Sequence, residues 1–370
     1  MSAFKNLGVL PQLIQALNEN GIEYPTPIQE QAIPILLNYK TDFVGQAQTG
    51  TGKTAAYCIP LIQSIDTKDT TIQALIIAPT RELCQQIGKQ IFKYTKFSDK
   101  VFIEKVIGGV PLHLQIENLK RPTHVVVATP GRLLELINKN IIDLDKVKTV
   151  IIDEADEIIT MGFKQELDSI LNVTNQKAFT WLFSATYPDD LNAMVKKYLS
   201  KDCKKVHIEQ GNLLNPNILH QYYMSSKGHK KDDILNFIHA HSKVKGIIFC
   251  RTHFQVDELH KFLVENGISA GVTHGELGQR DREKAIRMFR TSKVKVMVAT
   301  DISSRGLDIE DIAYVIHENV PDKLETYIHR SGRTARGNRK GVVISFVAHE
   351  ELGMLKKLQA MLKIKFNKVV

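Results

Sequence analysis

The residues Ala47-Gln48-Thr49-Gly50-Thr51-Gly52-Lys53-Thr54 follow a strand-like TDFVGQ and precede a helix-like AAYCIPLIQ. A glycine-rich turn that opens a helix points backbone N–H groups at phosphate, with the helix dipole behind them. Lys53 can reach the β- and γ-phosphates, and the Thr54 hydroxyl can ligate Mg2+. The strict pattern has Gly where Ala47 stands. A second group, Asp153-Glu154-Ala155-Asp156, comes directly after the apolar Val150-Ile151-Ile152. A carboxylate at a strand end beside a phosphate loop holds Mg2+, usually through water, and a neighbouring carboxylate positions the attacking water. Asp153 and Glu154 are expected in those roles, both close to the metal. In His329-Arg330-Ser331-Gly332-Arg333-Thr334-Ala335-Arg336 the three arginines are spaced by three and share one side of a helical turn. No acid lies within that run, so the guanidinium groups are expected to await an external anion. The loop and the acidic tetrad together imply a nucleoside triphosphatase.

Such side chains need a scaffold. Short apolar runs recur: ALIIAPT (74–80), HVVVATP (124–130), TVIIDEAD (149–156), WLFSAT (181–186), GIIFCRT (246–252), VKVMVATD (294–301) and GVVISFV (341–347). Amphipathic stretches such as RELCQQIGKQIFKY and QVDELHKFLVENG lie between them. Apolar strands alternating with helices predict parallel sheets covered on both faces, an α/β fold. Thr80, Thr129, Asp153, Ser184, Thr252 and Asp301 then fall at the C-terminal ends of strands, the edge where open α/β sheets bind ligands. The rhythm pauses at HIEQGNLLNPNIL, which has linker composition. The expected organisation is domain 1 over 1–207, a linker over 208–217 and domain 2 over 218–370. The tail HEELGMLKKLQAMLKIKF has helical spacing. No sequence repeat links the halves, which share only their α/β rhythm.

The tetrad itself reads D-E-A-D, and with its surroundings it resembles the DEAD-box RNA helicases over nearly the whole chain. Gly21-Ile22-Glu23-Tyr24-Pro25-Thr26-Pro27-Ile28-Gln29 resembles the Q motif, with Phe4 as the isolated upstream aromatic. The resemblance implies that Gln29 reads the adenine edge and that Tyr24 belongs to the nucleotide site; a carboxamide offers the donor and acceptor adenine requires. Ile22 stands where the family often has an aromatic. Pro79-Thr80-Arg81-Glu82-Leu83, Gly108-Gly109 and Thr129-Pro130-Gly131-Arg132 resemble RNA-contacting motifs, which implies Thr80, Arg81, Gly109, Thr129 and Arg132 as RNA contacts. Ser184-Ala185-Thr186 resembles the motif that couples hydrolysis to RNA. In domain 2, Phe249-Cys250-Arg251-Thr252 is similar to motif IV, and His274-Gly275 with Gln279 and Arg282 to the QxxR element. Ala299-Thr300-Asp301 with Arg305-Gly306-Leu307-Asp308 resembles motif V. These imply RNA contacts from Gly275, Gln279, Arg282 and Thr300, and nucleotide contacts from Gly306 and Asp308. By the same resemblance Arg333 and Arg336 are arginine fingers, and Arg330 is a structural or coupling residue. The implied architecture is two tandem RecA-like parallel-sheet domains, with ATP and Mg2+ as cofactors and RNA as partner.

Composition narrows the classes. Hydrophobic residues make up 43%, enough for sizeable cores, and a net charge of +9 suits a polyanionic partner. Cys58, Cys84, Cys203 and Cys250 form no CxxC pair, which points to free thiols in a reducing compartment. The start, MSAFKNLGVLPQLIQAL, lacks the apolar core of a signal peptide, and no run reaches transmembrane length. A cytoplasmic monomer without a membrane partner is expected. The leading function is an RNA-stimulated ATPase that separates short duplexes. An ATP-dependent RNA clamp with little turnover and a DNA translocase are the alternatives; Lys53, Glu154 and Arg336 favour turnover.

Overall fold

A computed structural model of the chain describes residues 3–48, 50–208, 214–226, 228–301, 312–335 and 339–369, apart from the Gln279 side chain. Its residues divide into two units, Met1–Glu209 and Gln210–Val370. The first unit holds β1 (Phe43–Gln46), β2 (Ala74–Ile77), β3 (Ile103–Val106), β4 (Val125–Ala128), β5 (Thr149–Ile152), β6 (Phe179–Ser184) and β7 (Lys204–His207). They form one sheet in the order β3-β4-β2-β5-β6-β1-β7. The second unit holds β8 (Ile218–Met224), β9 (Lys245–Phe249), β10 (Ala270–Thr273), β11 (Val296–Ala299), β12 (Ile312–His317), β13 (Gly341–Val347) and β14 (Asn367–Val369). Its order is β10-β11-β9-β12-β13-β8-β14, the same sequence of crossovers. The shared α/β rhythm is thus one topology used twice.

The apolar runs become strands because both faces of each sheet are covered. Successive side chains point to opposite faces. In β2, Ile76 joins one core with Phe43, Val127, Ile151 and Phe183, while Leu75 and Ile77 join another with Val126, Val150 and Leu182. Each fully buried aliphatic side chain stabilises the unit by about 1.5–3 kcal/mol. The second unit divides in the same way, with Ile247 and Val315 on one face and Ile248 and Ile316 on the other.

Strands at the sheet edges read differently. IEKV in β3 and KKVH in β7 are largely uncovered, and their charges blunt the edge against pairing with other chains. The tail is helical over Leu352–Leu362, as its spacing predicts. Its helix ends at Leu362, where Lys363 adopts a left-handed φ of 54°, and the chain returns as edge strand β14 beside β8. Phe4 is a core residue, fully buried with Leu13, Leu17 and Ile28.

The strand order sorts the rim. The loops after β2, β3 and β4 occupy one half of the first unit's C-terminal edge, and those after β1, β5 and β6 the other half. The expected RNA residues Thr80, Gly109 and Thr129 therefore lie together, and so do the phosphate loop, Asp153 and Ser184.

The second core carries buried imidazoles. His220 Nδ1 and the Tyr327 hydroxyl share a 2.7 Å hydrogen bond, and burial pushes His220 down from 6.5 to about 4. His317 is lowered as well, first by burial and then by Arg330 and His220. Folding thus favours neutral rings, and the unfolded chain takes up protons first as pH falls. His220 costs no stability above about pH 6.5, and the stability lost on the way down to pH 4 is about 3 kcal/mol. Urea unfolding of the second unit should show a drop of roughly 2 kcal/mol between pH 7.5 and 5, reduced in His220→Asn. Equal slopes for the two proteins would contradict a neutral buried His220.

Candidate functional site

The phosphate loop closes onto the helix Lys53–Ser64 through Gly52, whose φ is 90°. A side chain is strained there, and a Cβ would also stand 2.3 Å from Gln29 Nε2. Gln29, buried in the first turn of the helix Pro27–Asn38, donates to the Gly52 carbonyl at 3.0 Å and accepts from Thr26 N at 3.0 Å. Its carboxamide keeps one hydrogen and one lone pair for another partner. Thr51 Oγ1 donates to the Gln48 carbonyl at 2.7 Å, pinning the loop from inside. Tyr24 is 77% exposed.

Lys53 is 6% exposed, and its Nζ has no hydrogen-bond partner among the described residues. A buried ammonium without partners is costly. That cost would be offset by a phosphate group delivered to the loop. Asp153 stands at the end of β5, 2% exposed. Burial raises its carboxyl above the usual range; Lys53, a Tyr57 hydrogen bond and the Glu154 amide hold it back. Tyr57 donates to Oδ2 at 2.7 Å and Glu154 N to Oδ1 at 3.0 Å. Glu154 adopts a left-handed φ of 50°, a conformation that costs a non-glycine residue about 1–3 kcal/mol and clusters at functional sites. Hydroxyl and carboxylate oxygens from Thr54, Asp153 and Glu154 form a hard donor set that suits Mg2+.

The fourth letter of the tetrad looks elsewhere. Asp156 Oδ2 accepts from Thr186 N and Thr186 Oγ1, both at 2.7 Å. Asp156 N donates to Ser184 Oγ at 3.3 Å, and that hydroxyl donates to the Thr186 carbonyl at 2.7 Å. The acidic tetrad and the loop after β6 are therefore one hydrogen-bonded piece.

On the other half of the rim, Thr80 caps the helix Arg81–Tyr94 by accepting from Leu83 N at 3.2 Å. The Arg81 guanidinium lies across Gly108, where a Cβ would be 2.9 Å from Nη2. Gly109 is exposed, and Thr129 begins the helix Pro130–Asn138. Arg132 engages groups of its own unit. Its Nη1 donates to the Val110 carbonyl and to Gln115 Oε1, each at 2.8 Å, and its Nε pairs with Glu135 at 3.0 Å. This side chain braces the glycine loop. Buried Gln115, absent from the sequence expectations, completes the brace by donating to the Ile107 carbonyl at 2.8 Å.

In the second unit Gly275 faces open space, and Arg282 is buried in the first turn of the helix Gln279–Arg290. Thr300 N donates to the Thr273 carbonyl at 3.3 Å, aligning the loops after β10 and β11. Arg330 corrects the idea that all three arginines await an anion. Asp301 takes its Nε at 2.5 Å and its Nη2 at 2.8 Å, while Nη1 donates to the Asn319 carbonyl at 3.2 Å. The neutralising acid comes from a different strand end, which inspection of the run itself does not reveal. Arg333 Nε donates to the His329 carbonyl at 3.3 Å. Thr49, Gly306, Asp308, Arg336 and the Gln279 side chain lie outside the described residues.

Residues 26–194 match the family model described as DEAD/DEAH box helicase, and residues 229–338 that described as Helicase conserved C-terminal domain. The chain is 38% identical over its full length to the DEAD-box ATP-dependent RNA helicase CshA of Bacillus cereus, covering 70% of that protein. It is 39% identical over 98% of its length to the ATP-dependent RNA helicase CshA of Limosilactobacillus reuteri, covering 72%. S. cerevisiae Dbp5, solved bound to RNA and ADP BeF3, is similar in structure over the whole chain and 96% of its own, with a TM-score of 0.91 at 29% identity.

Gly52→Ala should weaken binding of a nucleoside triphosphate by about 5–30-fold, since backbone strain alone is worth about 1–2 kcal/mol. Calorimetric titration checks this; unchanged affinity would mean the loop does not touch the ligand.

Proposed function

Because the chain belongs to the DEAD-box ATP-dependent RNA helicases, we propose that its two tandem RecA-like units hydrolyse ATP in response to RNA and separate short RNA duplexes locally. The buried Lys53 ammonium, with no hydrogen-bond partner among the described residues, beside the desolvated Asp153 carries the reading. Loop amides of residues 50–54 and Lys53 bind the β- and γ-phosphates. Gln29 uses its remaining hydrogen and lone pair on adenine. Thr54, Asp153 and Glu154 would hold Mg2+, which shields phosphate charge when bound. Glu154 orients the attacking water and takes its proton as the bond from the β–γ bridging oxygen to the γ-phosphorus breaks. Arg333 and Arg336 stabilise the charge that develops, a contribution worth about 10³–10⁵ in rate. These arginines and Lys53 belong to different units, so hydrolysis requires the units to close on one nucleotide.

RNA contacts fall on backbone amides, hydroxyls and guanidinium groups, the chemistry of phosphate rather than base recognition. Thr80, Arg81, Gly109 and Thr129 serve one unit, and Gly275, Gln279, Arg282 and Thr300 the other. Arg132 contacts RNA on the same side, besides bracing the glycine loop. Ser184, Thr186 and Arg330 transmit between ligands. A monomer suffices, because one chain carries both halves of each site. Free cysteines, three of them buried, suit a reducing cytoplasm. Among the described residues, no helix is long and apolar enough to cross a membrane.

Glu154→Gln keeps the side chain's shape but removes a proton acceptor. RNA-stimulated turnover should fall by roughly 10²–10⁴ while ATP binding persists. Wild-type turnover in a steady-state ATPase assay would dismiss Glu154 as the base; wild-type enzyme that RNA fails to stimulate would favour the low-turnover clamp. Stacking is worth roughly 1.4 kcal/mol per step by the DNA value. Bending a few nucleotides therefore frees a short duplex and leaves a long one paired. Strand release should fall steeply with duplex length and need no free end. Efficient release of long duplexes would instead show processive translocation.

A further inference from the structure

Tyr57 lies one helical turn beyond Thr54 on the helix Lys53–Ser64, on the same side of it. Its ring is fully buried and packs 5.2 Å from Phe183, which in turn lies 5.4 Å from Phe43. That packing needs only an aromatic ring. The phenol nevertheless carries a hydroxyl into the phosphate site. It donates to Asp153 Oδ2 at 2.7 Å. The other Asp153 oxygen accepts from Glu154 N at 3.0 Å, so the carboxylate is fixed at both ends. One phenol thus fixes the orientation of a carboxylate that would hold Mg2+.

We propose that Tyr57 is a positioning residue that presets the Asp153 carboxylate for the divalent cation arriving with the nucleotide phosphates. The proposal rests on the metal reading of this site. A thiol, thioether or aromatic in contact with Asp153 would leave its rotamer free, whereas a hydroxyl donor selects one. A small hard cation demands near-ideal ligand geometry. Outer hydrogen-bond partners of metal ligands typically matter by about 10–100-fold in metal affinity.

The test is the equilibrium affinity of the full chain for a fluorescent, non-hydrolysable ATP analogue, measured in EDTA and in saturating Mg2+. Wild type, Tyr57→Phe and Tyr57→Leu are compared, with the urea midpoint of each recorded. The gain in affinity on adding Mg2+ should be about tenfold smaller in Tyr57→Phe than in wild type. Tyr57→Leu, which also loses the ring, should show the same deficit whatever its midpoint. A full Mg2+ gain in Tyr57→Phe would reduce Tyr57 to packing and overturn the proposal. So would a deficit equal with and without Mg2+, because the hydroxyl would then act through the phosphate loop. Wild-type affinity indifferent to Mg2+ would overturn the metal reading itself, and Asp153→Asn would then match wild type in both conditions.

Discussion

Taking Lys53 and Asp153 out of water at the end of β5 costs several kcal/mol per ion, and much of the surrounding structure offsets that cost. Parallel strands buried on both faces leave the carboxylate no route to solvent sideways. Donors therefore converge on it from the helix Lys53–Ser64 and from the next peptide. Glu154 holds a left-handed backbone there, and its amide is thereby turned toward Asp153. One charge is left without a hydrogen bond among the described residues, the Lys53 ammonium. Under the proposed function a triphosphate relieves it, and the burial that makes the site expensive without ligand also keeps bulk water from the reacting phosphate, where electrostatic interactions are strongest.

Asp156 carries the same constraint one step outward. Its carboxylate is 2% exposed, and Oδ2 accepts from both the amide and the hydroxyl of Thr186. The end of β5 and the loop after β6 are thereby tied together through Asp156. Arg330 does the corresponding work in the second unit, tying the end of β11 to the helix that precedes Arg333. Breaking such a pair by removing one partner leaves a buried charge.

What could be seen in the sequence follows from the same physics. Central strands such as ALII and TVII show themselves because both faces are covered. The edge strands IEKV and KKVH do not, because an edge must carry charge. The phosphate loop and the tetrad are local in sequence, so their chemistry is legible. Pairings between distant residues are not. Asp301 neutralises Arg330, Gln115 engages Arg132, and Tyr57 reaches Asp153 across 96 positions. Tyr57 left one faint signal, a polar atom three residues beyond Thr54 on a helix otherwise apolar at that level. Gly52 was legible as a phosphate-loop glycine, whereas its contact with Gln29 appears only in three dimensions.

The two units repeat one strand order, and the proposed function assigns each a share of the nucleotide and RNA contacts. Under this account nucleotide and RNA favour one closed state, and each strengthens the other's binding by the same factor. The most direct test measures that factor from both sides. RNA affinity is determined with and without a non-hydrolysable ATP analogue, and analogue affinity with and without RNA. The account predicts a common factor of about 5–150. Affinities that do not respond to the other ligand would contradict it, and would leave two independent binding sites on one chain.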